Sequence, residues 1–360
     1  MTVKGNIGEW SEIYTLFKIL GDKTLYAGDE YLEKVRDVMY PVIRVLRTES
    51  NGSFEYSIDD DIVLITSRDE LLLRLKVSEF AKQAQKVFDN IKNKPKSSAF
   101  EMLEIEEFMK KVHCSSLKAS SSQKTDITIK IHDSKTNQQP ILGFSIKSQL
   151  GSPSTLLNAG KTTNFTYRIN GLNAIQIKDI NSIDGKKKII NRVNKIIELG
   201  GEFVFERVDK QEFSNNLILI DSSLPLILSN MLVNFYVSNH STIKDLVEDI
   251  EVSNPLVFDS SLGHKFYTYK IKKMLTDIAL GLMPSKVWSG TYDATGGYLV
   301  VKKNGQILCY HIYNRNDFEN YLFFNTKLET ASTSKYDFGE LYEENGNIYF
   351  KLNLQIRFSK

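Results

Sequence analysis

Between Thr125 and Gln149 the chain reads TDITIKIHDSKTNQQPILGFSIKSQ, and this stretch limits the fold more than any other. Two runs alternate apolar and polar residues around a polar segment that closes on Pro140, the pattern of a β-hairpin. Ile127, Ile129 and Ile131 share one face of the first strand and leave Asp126, Thr128 and Lys130 on the other. Leu142, Phe144 and Ile146 form the apolar face of the second, with Gly143, Ser145 and Lys147 opposite. Side chains alternate with period two, so both polar sets can project from one face while the apolar backs enter a core. A turn closing between Asp133 and Pro140 would place Asp126 directly opposite Lys147.

An acid and an amine side by side on a sheet face suit phosphodiester hydrolysis. That reaction uses a hard cation, usually Mg²⁺, bound by one or two carboxylates, phosphate oxygen and water. Asp126 fits the part of ligand, and Lys147 can orient or deprotonate the attacking water. In the common nuclease pattern an Asp is followed by Asp/Glu-x-Lys; here Ser145 stands two residues before the lysine. Serine can hydrogen-bond a water but brings no charge. The second carboxylate must come from elsewhere, or its role passes to Gln149, two residues past Lys147 on the same face. Residues 151–173 hold no Asp or Glu. Glu9 is the best donor: Trp10, Ile13, Tyr14, Phe17 and Leu20 recur at helical spacing, and at roughly 100° per residue Glu9 borders their stripe while Glu12 points to water. Asp126 and Glu9 are therefore the expected metal ligands. The competing reading is a cross-strand ion pair of Asp126 with Lys147, worth only about 0.2–1 kcal/mol.

The rest of the chain reads as mixed α and β. Helices are expected over 9–20, over 30–38 ahead of Pro41, and over 68–92 and 100–112. Short strands over 54–58 and 62–66 flank the turn Asp59-Asp60-Asp61. The serine-rich CSSLKASSSQK (114–124) is a connection or a loop that orders on a ligand, and GSPSTLLNAGKTT (151–163) should edge the same cleft as Lys147. Strands are expected over 165–169, 174–177 and 202–208. A basic helix over 184–199 carries Lys186, Lys187, Lys188, Arg192 and Lys195, either a solvated face or a phosphate contact. Residues 217–237 read as a strand and then a core helix, followed by helices over 242–251 and 264–282. Asn304-Gly305 and Asn345-Gly346 mark two hairpins in a sheet-rich C-terminal part, with a helix over 317–324 between them.

Composition narrows the function classes. Apolar content of 41% and charged content of 25% permit a large core without staples. No apolar run approaches the roughly 18–20 residues that span a bilayer, and the N-terminal residues do not resemble an export signal. A cytoplasmic protein without membrane contact is expected. The two cysteines, Cys114 and Cys309, read as reduced thiols. The five histidines lack ligand spacing, which speaks against zinc, and His311 reads as a packed imidazole. There is no phosphate loop and no Gly-x-Ser-x-Gly elbow. A net charge of +2 is lower than a non-specific nucleic-acid coat protein would carry.

Five blocks carry a further signal: GNIGEWSEIYTLFKIL (5–20), TDITIKI (125–131), GFSIKSQLGSPSTLLNAGKTTNFTY (143–167), GGYLVVKKNGQILCYHIYNRNDFENYLFFNTKLETAS (296–332) and KLNLQIRF (351–358). Together they resemble the HpaII family of type II restriction endonucleases, end to end. The resemblance implies an α/β (α+β) fold of the PD-(D/E)xK type, with a mixed central sheet flanked by helices. It implies Mg²⁺ dependence, cleavage of both strands of double-stranded DNA at a short palindrome (the namesake's is CCGG), a homodimer, and a cognate DNA methyltransferase as functional partner without a stable complex. Asp126 and Lys147 fall on the motif, Ser145 departs from it, and an acidic first helix supports Glu9. Three parts are expected: 1–113, helical and flanking the active site; 114–285, the nuclease core with the hairpin 125–149; and 286–360, for DNA recognition. Guanine is most often read by Arg or Lys; the candidates are Arg315 with Asn314 and Asn316, Lys335, and Arg357. Lys161, Asn158 and Asn164 are candidates for contact with the DNA backbone. The alternatives are a structure-directed nuclease without sequence specificity and, because of Ser145, a catalytically inactive DNA-binding module.

Overall fold

The computed structural model describes residues 3–94, 98–119, 124–134 and 136–359. Helix Ile7–Asp22 begins in a capping box. The Asn6 side chain accepts the Glu9 N–H at 3.1 Å, and Glu9 Oε2 accepts the Asn6 N–H at 2.9 Å. Two donors left without intrahelical partners are thereby satisfied. The stripe Trp10, Ile13, Tyr14, Phe17 and Leu20 is buried, as its spacing predicts. Phe17 meets Phe80 of helix Val77–Lys92 and Phe108 of helix Leu103–Lys111 edge-on, at 6.0 and 5.2 Å. Trp10 Nε1 donates to the Phe100 carbonyl at 3.1 Å. Rings and one buried hydrogen bond fix the helix in place.

The helix packs against a nine-stranded mixed sheet. Its order is Thr24–Gly28, Ile307–His311, Gly297–Val301, Ile141–Ser148, Ile127–Ile131, Lys34–Glu49, Gly52–Asp59, Ile62–Ser67, Glu70–Lys76. Strand Lys34–Glu49 pairs through its first half with Thr24–Gly28 and through its second with Ile127–Ile131, so six of the strands close on one another. Strand Ile141–Ser148 is interior, antiparallel to Ile127–Ile131 and parallel to Gly297–Val301. The hairpin Gly297–Val301/Ile307–His311 separates two cores by alternation. Leu299, Val301, Ile307 and Cys309 join the N-terminal helices, whereas Tyr298, Val300, Leu308 and Tyr310 join the helices of the C-terminal half. That half also holds a four-stranded sheet, in which Asn164–Asn170 pairs with Glu202–Val208 and Asn347–Asn353, and a three-stranded one built on Ile356–Phe358. The mixed α/β class agrees with the expectation from sequence. Among the described residues no single helix is long and apolar enough to cross a membrane.

Several expected elements differ. The region 30–38 enters strand Lys34–Glu49 rather than a helix, and Pro41 lies inside that strand, beside the bulge between Val42 and Arg44 that interrupts the alternation. Proline is tolerated in a sheet at such irregularities. The stretch 68–92 starts as strand Glu70–Lys76, whose four leucines hide its period. Residues 174–177 open a helix, because Asn173 and Gln176 form another capping box. The apolar run 217–237 is two helices meeting at 107°. The hairpin register is also tighter than expected. Asp133 bridges Gln138, Ile127 pairs with Phe144, and the Asp126 N–H donates to the Phe144 carbonyl, so Asp126 lies opposite Ser145 rather than Lys147.

Gly297 lies beside strand Ile141–Ser148 at φ +101°, and a Cβ there would sit 2.1 Å from the Tyr310 carbonyl oxygen. Gly297→Ala should lower stability by more than about 1 kcal/mol, read as a lower urea midpoint. An unchanged midpoint would show that the hairpin can shift freely.

Candidate active site

The ends of the two hairpin strands and one turn of the first helix meet in a cleft of about 400 Å³ lined by Glu9, Glu12, Lys118, Asp126 and Lys147, among others. Asp126 stands at the start of strand Ile127–Ile131. Its Oδ2 accepts the Ile146 N–H at 2.7 Å and the Ser145 hydroxyl at 3.0 Å, which leaves Oδ1 uncommitted among the described residues. Ser145 is buried and spends its hydroxyl on Asp126. Gly143 is needed behind them, since a Cβ would lie 2.7 Å from Thr125 Oγ1. Two residues past Ser145, Lys147 shares its face, with Nζ 4.9 Å from the centroid of the Tyr298 ring. Gln149 donates its backbone N–H to Val301 and lines a smaller pocket on which Lys147 also borders.

Sequence reasoning assigned Glu12 to water, and the structure places it otherwise. Glu12 is half-buried in the cleft and makes no hydrogen bond or ion pair among the described residues. Burial first, and then the Asp126 charge, push its carboxyl up to about 8. Glu9 lines the same cleft, but one of its oxygens closes the capping box and the other pairs with Lys118 at 3.4 Å. The helical wheel missed Glu12 because the wheel is drawn about one core. The strand end that carries Asp126 reaches the helix from outside the aromatic stripe. Lys147 is half-buried, and loss of hydration pushes its ammonium down to about 8 against the opposing pull of Asp126, with Lys124 adding to the fall. Lys124 is lowered by the same desolvation, offset by Asp293 and Asp126. The cleft therefore sets a desolvated amine beside a desolvated acid, the arrangement that general acid–base chemistry uses near neutral pH.

This geometry meets a clear relationship. The profile of the HpaII restriction endonuclease family matches residues 6–358. The type II restriction enzyme HpaII of Haemophilus parainfluenzae is 47% identical over 356 residues, which covers 98% of this chain and 98% of that one. The chain belongs to the HpaII restriction endonuclease family. No solved structure matches it.

The residues considered for DNA contact in this family member fall in different surroundings. Lys161 pairs with Asp337, two residues from the exposed Lys335, and Asn158 is exposed nearby in sequence. Asn164 is buried, its amide donating to the Tyr336 carbonyl at 2.8 Å and accepting from Asn353 at 2.7 Å, a setting that favours a structural use of this residue over contact with DNA. Asn314 donates to the Tyr40 hydroxyl at 2.8 Å, Arg315 pairs with Glu319 at 2.6 Å, and Asn316 is exposed. Arg357 is held by Glu329 and the Pro153 carbonyl, both at 2.7 Å. Arg192 of the basic helix is buried against carbonyls of Asn181, Ile183 and Gly339, a structural use of that charge. His311 packs between Tyr40 and Phe144 as a buried neutral imidazole, its pKa pushed down to about 4 by burial.

The raised Glu12 pKa has a consequence for stability. The folded chain holds a proton on Glu12 up to about 8, whereas the ordinary value is 4.5. Between those values the native state binds more protons than the unfolded one, so stability from this group falls as pH rises. Relief of the Lys147 penalty begins only above about 8, outside that window. In metal-free buffer the melting temperature of Glu12→Gln, relative to wild type, should therefore climb from pH 4.5 to about 8 and then level. A pH-independent difference would show that Glu12 is solvated.

Proposed function

We propose that this chain is a type II restriction endonuclease that hydrolyses both strands of DNA at a short palindrome, with Asp126, Glu12 and Lys147 at the reacting phosphate. The observation that carries the assignment is the meeting of two carboxylates and a desolvated lysine in one cleft, in a chain so closely related to a type II restriction enzyme. The donor set suits Mg²⁺. Asp126 Oδ1 and the Glu12 carboxylate are hard oxygen ligands with no protein partner among the described residues, and their mutual repulsion is what a bound cation would relieve. Among the described residues no group of three or more His, Cys, Asp or Glu could form a dedicated cage, in line with an ion that keeps water and phosphate oxygen as ligands. Bound there, Mg²⁺ would acidify a water and offset charge on the pentavalent phosphate.

Each side chain then has a distinct task. Ser145 and the Ile146 N–H hold the Asp126 carboxylate in one rotamer. Lys147, with a pKa near 8, can take a proton from the attacking water or steady it by a hydrogen bond. Glu9 lies further out and shapes the charge at the rim. The arrangement supports a variant of the PD-(D/E)xK fold in which the second acid has moved from the strand to the first helix. From the same family reading we take CCGG as the expected site, a homodimer as the unit that reads a two-fold sequence, the cytoplasm as the place of action, and a cognate methyltransferase as the partner in host protection.

The test is digestion of plasmid DNA with Mg²⁺, followed by mapping of the ends. Discrete fragments ending at one palindrome are expected, with no cutting in EDTA. Asp126→Ala, Lys147→Ala and Glu12→Ala should each lower the rate by about 10²–10⁴-fold, and Glu9→Ala by much less. Cutting without a fixed sequence would point to a structure-directed nuclease, and binding without nicking to an inactive module.

A further inference from the structure

Arg47 and Glu49 form a buried ion pair that the catalytic group does not use, with side chains only 5% and 0% exposed. Such a pair is costly unless its remaining hydrogen-bonding capacity is filled. Here one short piece of chain fills it. Glu49 Oε2 accepts the hydroxyls of Ser115 at 2.6 Å and Ser116 at 2.7 Å, while Arg47 donates one N–H to Glu49 and another to the Ser116 carbonyl. The Ser116 hydroxyl also lies within bonding distance of the Lys118 carbonyl. A strand of the central sheet thus clamps the stem of the serine-rich segment. Two residues beyond the clamp, Lys118 enters the cleft, lines it with Glu12, Asp126 and Lys147, and sets its ammonium 3.4 Å from Glu9 Oε1.

We infer that Lys118 is a DNA-contacting residue that leaves Glu9 for a phosphate beside the scissile one, and that the Arg47–Glu49–Ser115–Ser116 clamp sets its position. The inference rests on the endonuclease reading. Lys118 remains 60% exposed, and an ion pair so open to solvent contributes little, so little opposes the exchange. A phosphate offers a full charge and several acceptor oxygens, and charge-assisted hydrogen bonds to such groups are roughly twice as strong as neutral ones. The cleft needs such a cation. Glu9 and Asp126 face an incoming polyanion there, and among the described residues that line the cleft only Lys118 and Lys147 answer them. Lys147 is half-buried with its ammonium 4.9 Å from the centroid of the Tyr298 ring, so of these two lysines Lys118 is the one open to the backbone.

Binding is measured by fluorescence anisotropy in EDTA, on one labelled duplex bearing CCGG and one with that sequence scrambled, across a salt series. Lys118→Ala should weaken both by about tenfold or more and reduce the magnitude of the salt slope by about one, because a phosphate contact carries no sequence information. Lys118→Arg should restore most of the loss. Ser115→Ala/Ser116→Ala, which leaves the buried pair in place, should weaken binding in the wild-type background and have little further effect with Lys118→Ala. Unchanged affinity and slope in Lys118→Ala would overturn the inference, and additive serine effects would overturn the part assigned to the clamp. Wild-type digestion run in parallel separates the two proposals: if it yields no discrete fragments the endonuclease reading falls, and if it does while Lys118→Ala binds normally only this inference falls.

Discussion

A single carboxylate oxygen holds the site in register. By accepting the Ile146 N–H and the Ser145 hydroxyl, Asp126 Oδ2 extends the contact between two strands one step past their ladder. The strand it grips is interior and is hydrogen-bonded on its other side to Gly297–Val301. A one-residue slip would turn every side chain to the opposite face, and pairing on both sides forbids it. Lys147 is therefore aimed by backbone geometry and needs no salt bridge of its own. The geometry also explains why serine suffices at position 145. The hydroxyl orients an acid across the hairpin, which a carboxylate there would repel.

The cleft is organised against its own electrostatics. Asp126 raises the cost of charge on Glu12, and the desolvation that lifts Glu12 also depresses Lys147. A fold chosen for stability alone would hydrate these groups or replace them with apolar residues. What the chain gains is a set of groups whose protonation changes near neutral pH and whose unfilled oxygens face the same space. The aromatic stripe of the first helix, locked by Phe80, Phe108 and the Trp10 hydrogen bond, supplies the rigidity that keeps such a strained set together.

Much of this was legible from period and chemistry. The hairpin, its polar face, Asp126, Lys147, the buried stripe of the first helix and both Asn-Gly hairpins follow from local patterns. The failures have identifiable physical causes. The register was counted from Pro140, but the Asp133–Gln138 bridge closes the turn more tightly. Glu12 was judged against one hydrophobic face, although the helix has a second neighbour that only tertiary packing reveals. Strand Lys34–Glu49 hides its alternation behind a bulge, and its role in closing the sheet depends on partners far away in sequence. Asn164 was a candidate for contact with the DNA backbone, yet its amide is engaged by Tyr336 and Asn353, contacts more than 170 positions distant that no pattern announces.

The division of the two acids between a strand and a helix has one more consequence. When both ligands of a cation sit on one hairpin, their spacing is set by covalent connectivity and survives loosening elsewhere. Here Asp126 belongs to the sheet, while Glu12 belongs to a helix docked by aromatic rings. Any cation bound between them acts as a staple across a tertiary contact. Its affinity would then work as a strain gauge for that contact, and a change beneath the helix, at Phe17 or Phe108, would surface first as altered ion binding, well before the chain unfolds.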